Sequence, residues 1–310
     1  MSVVLVTGAA TGIGNLSAQA LARDGHTVYA SMRDIKGSRN STHAQEVRAL
    51  AEREGLKLHV VELDVTSQDS ADRAVATVLE EQGDLDVVVH NAGHLYIGFV
   101  EAFTAEDISR LFDVNVFGIQ RVNRALLPHM RERRHGTLLY VGSTIVITTP
   151  PFLGPYSASK AAMDQLALTT AYEVSQLGIE TVIVMPGAFT KGTQHFPNAS
   201  YASDLSVAAD YSILEPLVEA TEKATEALFP TEADNDPTVV AEEIVRILGL
   251  PYGKRPFRSV VDMTYAGVHE VNEVLDAKRA EFTARLGFGE FLQLKDYATR
   301  PPLTNQLSEH

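Results

Sequence analysis

Cysteine is absent from the 310-residue chain, which excludes disulfides, thiolate-bound zinc and thiol catalysis. That absence is compatible with a reducing compartment. Positive charge is scarce: 26 Lys and Arg stand against 40 Asp and Glu, a formal net charge of −14. Nucleic acid and anionic membranes both demand basic patches, so neither is expected as a partner. A small anionic ligand needs only one or two local cations and is not excluded. No run approaches the ~18 unbroken apolar residues of a membrane-spanning helix. The opening MSVVLVTGAA lacks a basic segment and leads straight into glycines, so it reads as a strand rather than a secretion signal. The expected setting is cytoplasmic.

What is present is a globular pattern, 45% hydrophobic and 21% charged. Strand-like runs at 3–7, 26–31, 58–63, 85–90, 137–142 and 179–185 alternate with helical patterns at 15–23, 42–54, 67–82, 105–133 and 155–177. Near-continuous Val/Ile/Leu strands separated by helices predict a parallel sheet covered on both faces, in a doubly wound, Rossmann-type α/β fold. After Pro186 the alternation stops. Residues 187–236 read as an irregular lid with a helical piece near 214–228. Helices are expected at 237–248 and 268–286, a further strand at 257–262, and a frayed end over the last dozen residues.

Two short stretches carry chemistry. LGPYSASKAAM places Tyr156 and Lys160 four residues apart, on one face of a helix. TGAATGIG, Thr7 to Gly14, follows a strand and opens a helix. There Gly8 permits a sharp turn, Gly12 a close approach to a pyrophosphate, and Gly14 tight helix–strand packing. The helix N-terminus offers unpaired N–H groups to the phosphates.

The spacing of these glycines, with Thr7 in front, resembles that of the short-chain dehydrogenases/reductases of the classical type. Further matches follow in order: His90-Asn91-Ala92-Gly93 after strand four, Asn115 within DVNVFG, Ser143 thirteen residues before Tyr156, and Pro186-Gly187 with Thr190 after strand six. The resemblance covers about residues 1–190. It implies a dinucleotide-binding and catalytic domain over 1–262, with 187–236 as a substrate lid, and a helical extension over 263–310. The segment VYASMRD and the extended C-terminus are similar to the retinol- and hydroxysteroid-dehydrogenase-like branch.

The resemblance implies catalytic roles for Asn115, Ser143, Tyr156 and Lys160. It implies cofactor contacts from Gly8, Thr11, Gly12, Ile13 and Gly14, from Asp64 and Val65 beside the adenine, and from Asn91, Ala92 and Gly93. Pro186, Gly187, Phe189 and Thr190 would flank the nicotinamide, and Tyr156 and Lys160 its ribose. A free tyrosine, with pKa about 10, is a poor acid–base group near neutrality, so Lys160 is expected to depress it. Ser143 would donate to the substrate oxygen, with Thr144 a competing hydroxyl, and Asn115 would hold a water linked to Lys160.

Met32 stands where NAD-specific members carry an acid, and Arg33 follows, suited to a 2′-phosphate. NADP(H) is the expected cofactor, with Asp34 as a complication if it turned inward. Asp64 could equally cap a helix. His90 and His94 bracket a strand-end turn, so no metal is expected. Asp84, Asp86, Glu80-Glu81 and the run Arg131–Arg134 read as solvated surface. Phe189, Phe196, Tyr201, Leu205, Tyr211, Ile213 and Leu214 suggest an apolar lid over a ketone, aldehyde or secondary alcohol. The expected enzyme is an NADP(H)-dependent carbonyl reductase or alcohol dehydrogenase acting on a small molecule. The alternatives are a 3-oxoacyl-thioester reductase and a non-catalytic redox sensor. The resemblance also implies a homodimer or homotetramer, paired through helices 105–133 and 155–177.

Overall fold

Strand and helix alternate along the computed structural model, which describes residues 1–37, 39–231, 233–295 and 297; the expected frayed end lies outside these residues. β1 (Val3–Val6) leads to α1 (Gly12–Arg23), β2 (Thr27–Met32) to α2 (Ser41–Glu54), and β3 (Leu58–Glu62) to α3 (Gln68–Gln82). β4 (Val87–His90) continues through a short β5 (Tyr96–Ile97) to α4 (Ala105–Phe112), a π-turn at Asp113–Phe117, and α5 (Gly118–Arg133). β6 (Thr137–Val141), α6 (Ile145–Thr148), α7 (Gly154–Ser175) and β7 (Glu180–Pro186) follow. Beyond them come β8 (Ser200–Tyr201), α8 (Leu205–Asp210), α9 (Glu215–Glu219), α10 (Thr221–Glu226), α11 (Thr238–Gly249), β9 (Arg258–Val261) and α12 (Val268–Arg285).

The central sheet is parallel, in the order β3-β2-β1-β4-β6-β7-β9, giving the doubly wound Rossmann-type fold. Alternate strand residues serve opposite faces. Val4, Val6, Val28 and Val89 join one core with Leu21, Val47 and Ile244 from α1, α2 and α11. Leu5, Val88, Leu138 and Ile183 join the other with Val75, Leu126 and Met163 from α3, α5 and α7. Strand order reverses between β1 and β4, so the crevice at their C-terminal ends is where a ligand belongs. Among the described residues, no helix is long and apolar enough to cross a membrane.

Three expectations need correction. Residues 105–133 are not one helix: the π-turn inserts an extra residue between α4 and α5, and buried Asn115 lies within it. The lid piece at 214–228 is a 3₁₀ turn at Ser212–Leu214 followed by two short helices, α9 and α10. The lid also supplies an unanticipated strand, β8, which pairs in parallel with β5 (Tyr96 with Ser200, Ile97 with Tyr201). Two-residue strands carry no readable periodicity, which is why the pattern missed them.

Candidate active site

A cleft of about 1130 Å³ runs from the start of α1, past the ends of β2, β4 and β6, to the lid. At its centre β1 and β4 are fastened by Thr7. The Thr7 hydroxyl accepts from the backbone N–H of Asn91 (2.9 Å) and Ala92 (3.0 Å), and the Asn91 amide donates to the carbonyls of Thr7 and Gly8 (3.0 Å each). Gly8 (φ +65°) sits so close that a Cβ would lie 2.8 Å from Ala92 Cα. A Cβ on Gly14 would collide with the Asn91 amide and lie 2.5 Å from the Gly8 carbonyl oxygen. The glycines thus let two turns interlock, while Thr11, Gly12 and Ile13 line the cleft. No side chain caps α1, whose first-turn N–H groups are therefore available to an anion. This cradle fits a dinucleotide pyrophosphate.

At the β2 end the cleft is lined by Met32, Arg33, Arg39, Asn40 and His43. Asp34 turns away from it: its carboxylate accepts from the Arg39 N–H (3.2 Å) and packs over Gly37, closing its own loop. Arg39, which sequence reasoning missed, gives the cleft a second guanidinium beside Arg33. Asp64 and Val65 line the next section, as expected. Asp64 does not cap α3; that cap is Ser67, whose hydroxyl accepts from Ser70 N–H, while Asp64 closes a turn on Thr66 (2.7 and 2.9 Å).

Helix α7 delivers Tyr156 and Lys160 to the far wall, both buried. Ser143, just beyond β6, lines the same wall and bears on the Tyr156 phenol. Thr144 lines it too, but Ser143 is the hydroxyl that bears on the phenol. Lys160 Nζ donates to the Val141 carbonyl (3.1 Å) and lies 5.9 Å from the Tyr156 ring centroid. The expected depression of Tyr156 by Lys160 is not found. Burial pushes the phenol up, and the Ser143 hydrogen bond pulls it only part of the way back. Burial also lowers Lys160, to about 8.

Asn115 is held in a network of its own. Its amide N–H groups donate to the His94 carbonyl and Ser159 hydroxyl (3.0 Å each), and its oxygen accepts from His94 N–H (2.8 Å). The amide thus ties the turn after β4 to α7. Asn91, Ala92, Gly93, Pro186, Gly187 and Phe189 line the cleft. Thr190 does not. Its N–H and hydroxyl both pair with buried Asn235 (3.0 and 2.7 Å), which needs those partners.

The lid is also only partly as expected. Phe189 and Phe196 line the cleft, together with Leu228, whereas Tyr201, Leu205, Ile213 and Leu214 are exposed and Tyr211 stacks outside on Phe99 at 4.8 Å. The lid's unforeseen contribution is His195, whose Nε2 lies 3.1 Å from the Tyr156 oxygen. An irregular loop offers no spacing by which such a residue could be found. His90 and His94 serve separate networks, His90 with Asn123 (2.8 Å) and His94 with Ser200 (2.8 Å).

The sequence profile of the short chain dehydrogenase family matches residues 2–201. The chain belongs to that family. The resemblance read from the glycine turn and the Tyr156/Lys160 pair is to the family the chain belongs to. It is 34% identical to a 3-ketodihydrosphingosine reductase of Bacteroides thetaiotaomicron over 190 residues, 61% of this chain and 65% of that protein's length. Its fold is similar to a short-chain dehydrogenase from Streptomyces avermitilis, 30% identical, with a TM-score of 0.70 covering 94% of this chain and 100% of the other. It is also similar to the alcohol dehydrogenase of Thermococcus sibiricus complexed with 5-hydroxy-NADP, 26% identical, TM-score 0.66, covering 86% and 97%. A nicotinamide cofactor is the group these relationships support.

Proposed function

We propose that this short-chain dehydrogenase is an NADP(H)-dependent carbonyl reductase or alcohol dehydrogenase, with an apolar ketone, aldehyde or secondary alcohol as substrate. The observation that carries the reading is the buried cluster of Tyr156, Ser143 and Lys160 on the wall of the cleft that begins at the glycine turn. The dinucleotide would be held by the turn Gly8–Gly14 at its pyrophosphate, by Asp64 and Val65 at its adenine, and by Asn91–Gly93 and Pro186–Phe189 toward its nicotinamide. Bound there, it supplies the hydride.

The protein's part is the proton and the orientation. Tyr156 gives its phenolic proton to the substrate oxygen, and Ser143 donates a hydrogen bond to the same oxygen as charge develops there. Lys160 provides a positive charge close to the phenolate that remains. Asn115 acts at one remove, fixing His94 and α7 so that the cluster keeps its geometry. Arg33 and Arg39 face the cleft where a 2′-phosphate would lie, and Asp34 points elsewhere, which favours NADP(H) over NAD(H). Leu95, Ile145, Leu153, Phe196 and Leu228 give the substrate end an apolar wall. Exposed Phe117 and Leu166, near α5 and on α7, support pairing with a second copy through those helices.

The test is titration with NADPH, then a panel of ketones and aldehydes followed by loss of reduced-nicotinamide absorbance, for wild type and Tyr156→Phe. Turnover should fall by about 10²–10⁴ in the variant with NADPH affinity unchanged. Unchanged turnover would remove Tyr156 as the acid. Tight NADPH binding with no turnover of any carbonyl or alcohol would favour the redox sensor.

A further inference from the structure

We propose that His195 is a positioning residue for Tyr156, carried to it by the lid, so that this hydrogen bond to the acid is made only while the lid covers the site. This rests on the reading of Tyr156 as the acid. The imidazole Nε2 lies 3.1 Å from the phenol oxygen, and the rings meet edge to face at 5.3 Å and 67°. A phenol has one proton to give and two lone pairs. His195 can therefore donate to a lone pair of the oxygen and still leave that proton for a substrate, with the Ser143 hydroxyl kept for the substrate oxygen.

The lid is fastened on both sides of His195. Gln194 and Phe196 beside it line the cleft, and Phe196 packs on the cluster of Leu95, Tyr96 and Leu153. Beyond it, β8 pairs with β5, and Ser200 bonds His94. The Asp107 carboxylate accepts from the Ser203 hydroxyl (2.6 Å) and N–H (3.2 Å). The position of the imidazole is therefore a property of the docked lid.

The groups facing His195 are Tyr156 and Lys160 from α7 and His94 from the turn after β4. Burial, the Lys160 charge and His94 lower its pKa to about 3. The ring is neutral at working pH, so it is not the proton source and acts through its hydrogen bond. As the Nε2–H tautomer it donates to the phenol oxygen, a bond that strengthens when Tyr156 has given up its proton and carries charge.

Two variants separate this role from packing. His195→Phe keeps an aromatic ring against Tyr156 but removes the hydrogen bond, and His195→Gln keeps an amide donor. The expected result is an about tenfold fall in kcat for ketone reduction with His195→Phe, and most of that activity restored with His195→Gln. NADPH affinity should be unchanged in both. The pH profile of kcat should shift in His195→Phe and return in His195→Gln. Full activity in His195→Phe, or equal losses in the two variants, would overturn the proposal. Imidazole nitrogen NMR of His195 in wild type and Tyr156→Phe reads the contact without turnover. A resonance that does not move between them would also overturn the proposal, and it would do so even if no carbonyl were reduced.

Discussion

Acid sensitivity should run through His90, which is buried where β4 meets α5. Its Nε2 faces Asn123 Oδ1 at 2.8 Å, its ring stacks on Tyr140 at 4.8 Å, and Nδ1 meets no partner among the described residues. The Asn123 amide nitrogen donates to the Tyr140 hydroxyl (3.1 Å), so its oxygen is the acceptor and Nε2 carries the proton. A second proton would sit on Nδ1, buried with nothing to receive it. Burial accordingly lowers this histidine from 6.5 to about 4. The unfolded chain takes up that proton at its ordinary value. Between about pH 6.5 and 4 the unfolded state holds more protons, so stability falls as pH falls; below about 4 both states are protonated and the loss is complete. At about 1.36 kcal/mol for each step in pKa, the interval is worth about 3 kcal/mol.

His195 titrates in an overlapping window, so the assay must be a difference. Urea unfolding would be measured at about pH 7 and about pH 4.5 for wild type and His90→Phe. Phenylalanine keeps the stack on Tyr140 and cannot titrate. It leaves Asn123 Oδ1 without its partner, at a cost of about 1–3 kcal/mol at neutral pH. The stability lost between the two pH values should nevertheless be about 2–2.5 kcal/mol smaller in the variant. Equal losses would refute the assignment of acid sensitivity to His90.

Three further outcomes are expected. Arg33→Ala and Arg39→Ala should each weaken NADPH binding about tenfold or more and leave NADH binding nearly unchanged, as read by fluorescence titration; equal effects on both would remove these residues from the phosphate site. Gly14→Ala should abolish cofactor binding and destabilise the fold, because its methyl meets the Asn91 amide and Gly8 carbonyl in a packed turn; a variant that binds NADPH like wild type in a thermal-shift assay would show the turns are not interlocked as described. Lys160, lowered to about 8 by burial, holds its proton below that value and loses it as pH rises, so ketone reduction should decline above about pH 8; a flat profile to about pH 10 would show that its charge is not used.

Period and spacing made the sheet legible. Strand β1 (Val3–Val6) and the run Val182–Val184 of β7 are apolar throughout, as a sheet covered on both faces requires, and the glycine turn marks where the first of them ends. The same logic found α11, β9 and α12 but failed within 187–236, where a two-residue strand and helices of five or six residues carry no readable period. It failed too at Asn115, because a π-turn leaves the sequence helical in character while shifting one residue out of register.

The sequence by itself determined which residue types stand at the ends of which strands: Thr7 and Gly8 after β1, Arg33 after β2, Asn91 to Gly93 after β4, Ser143 after β6, and Tyr156 and Lys160 on the helix that follows. Order along the chain and local geometry are enough for that. Only the tertiary structure decided which of their atoms face the cleft. The Asn115 amide is committed to His94 and Ser159, Thr190 to Asn235, and Asp34 to its own loop, whereas Arg39 and His195 enter the cleft from segments without regular pattern. The reason is physical: a buried polar group must find partners wherever packing provides them, and those partners lie tens of residues away in sequence, as Thr190 and Asn235 do.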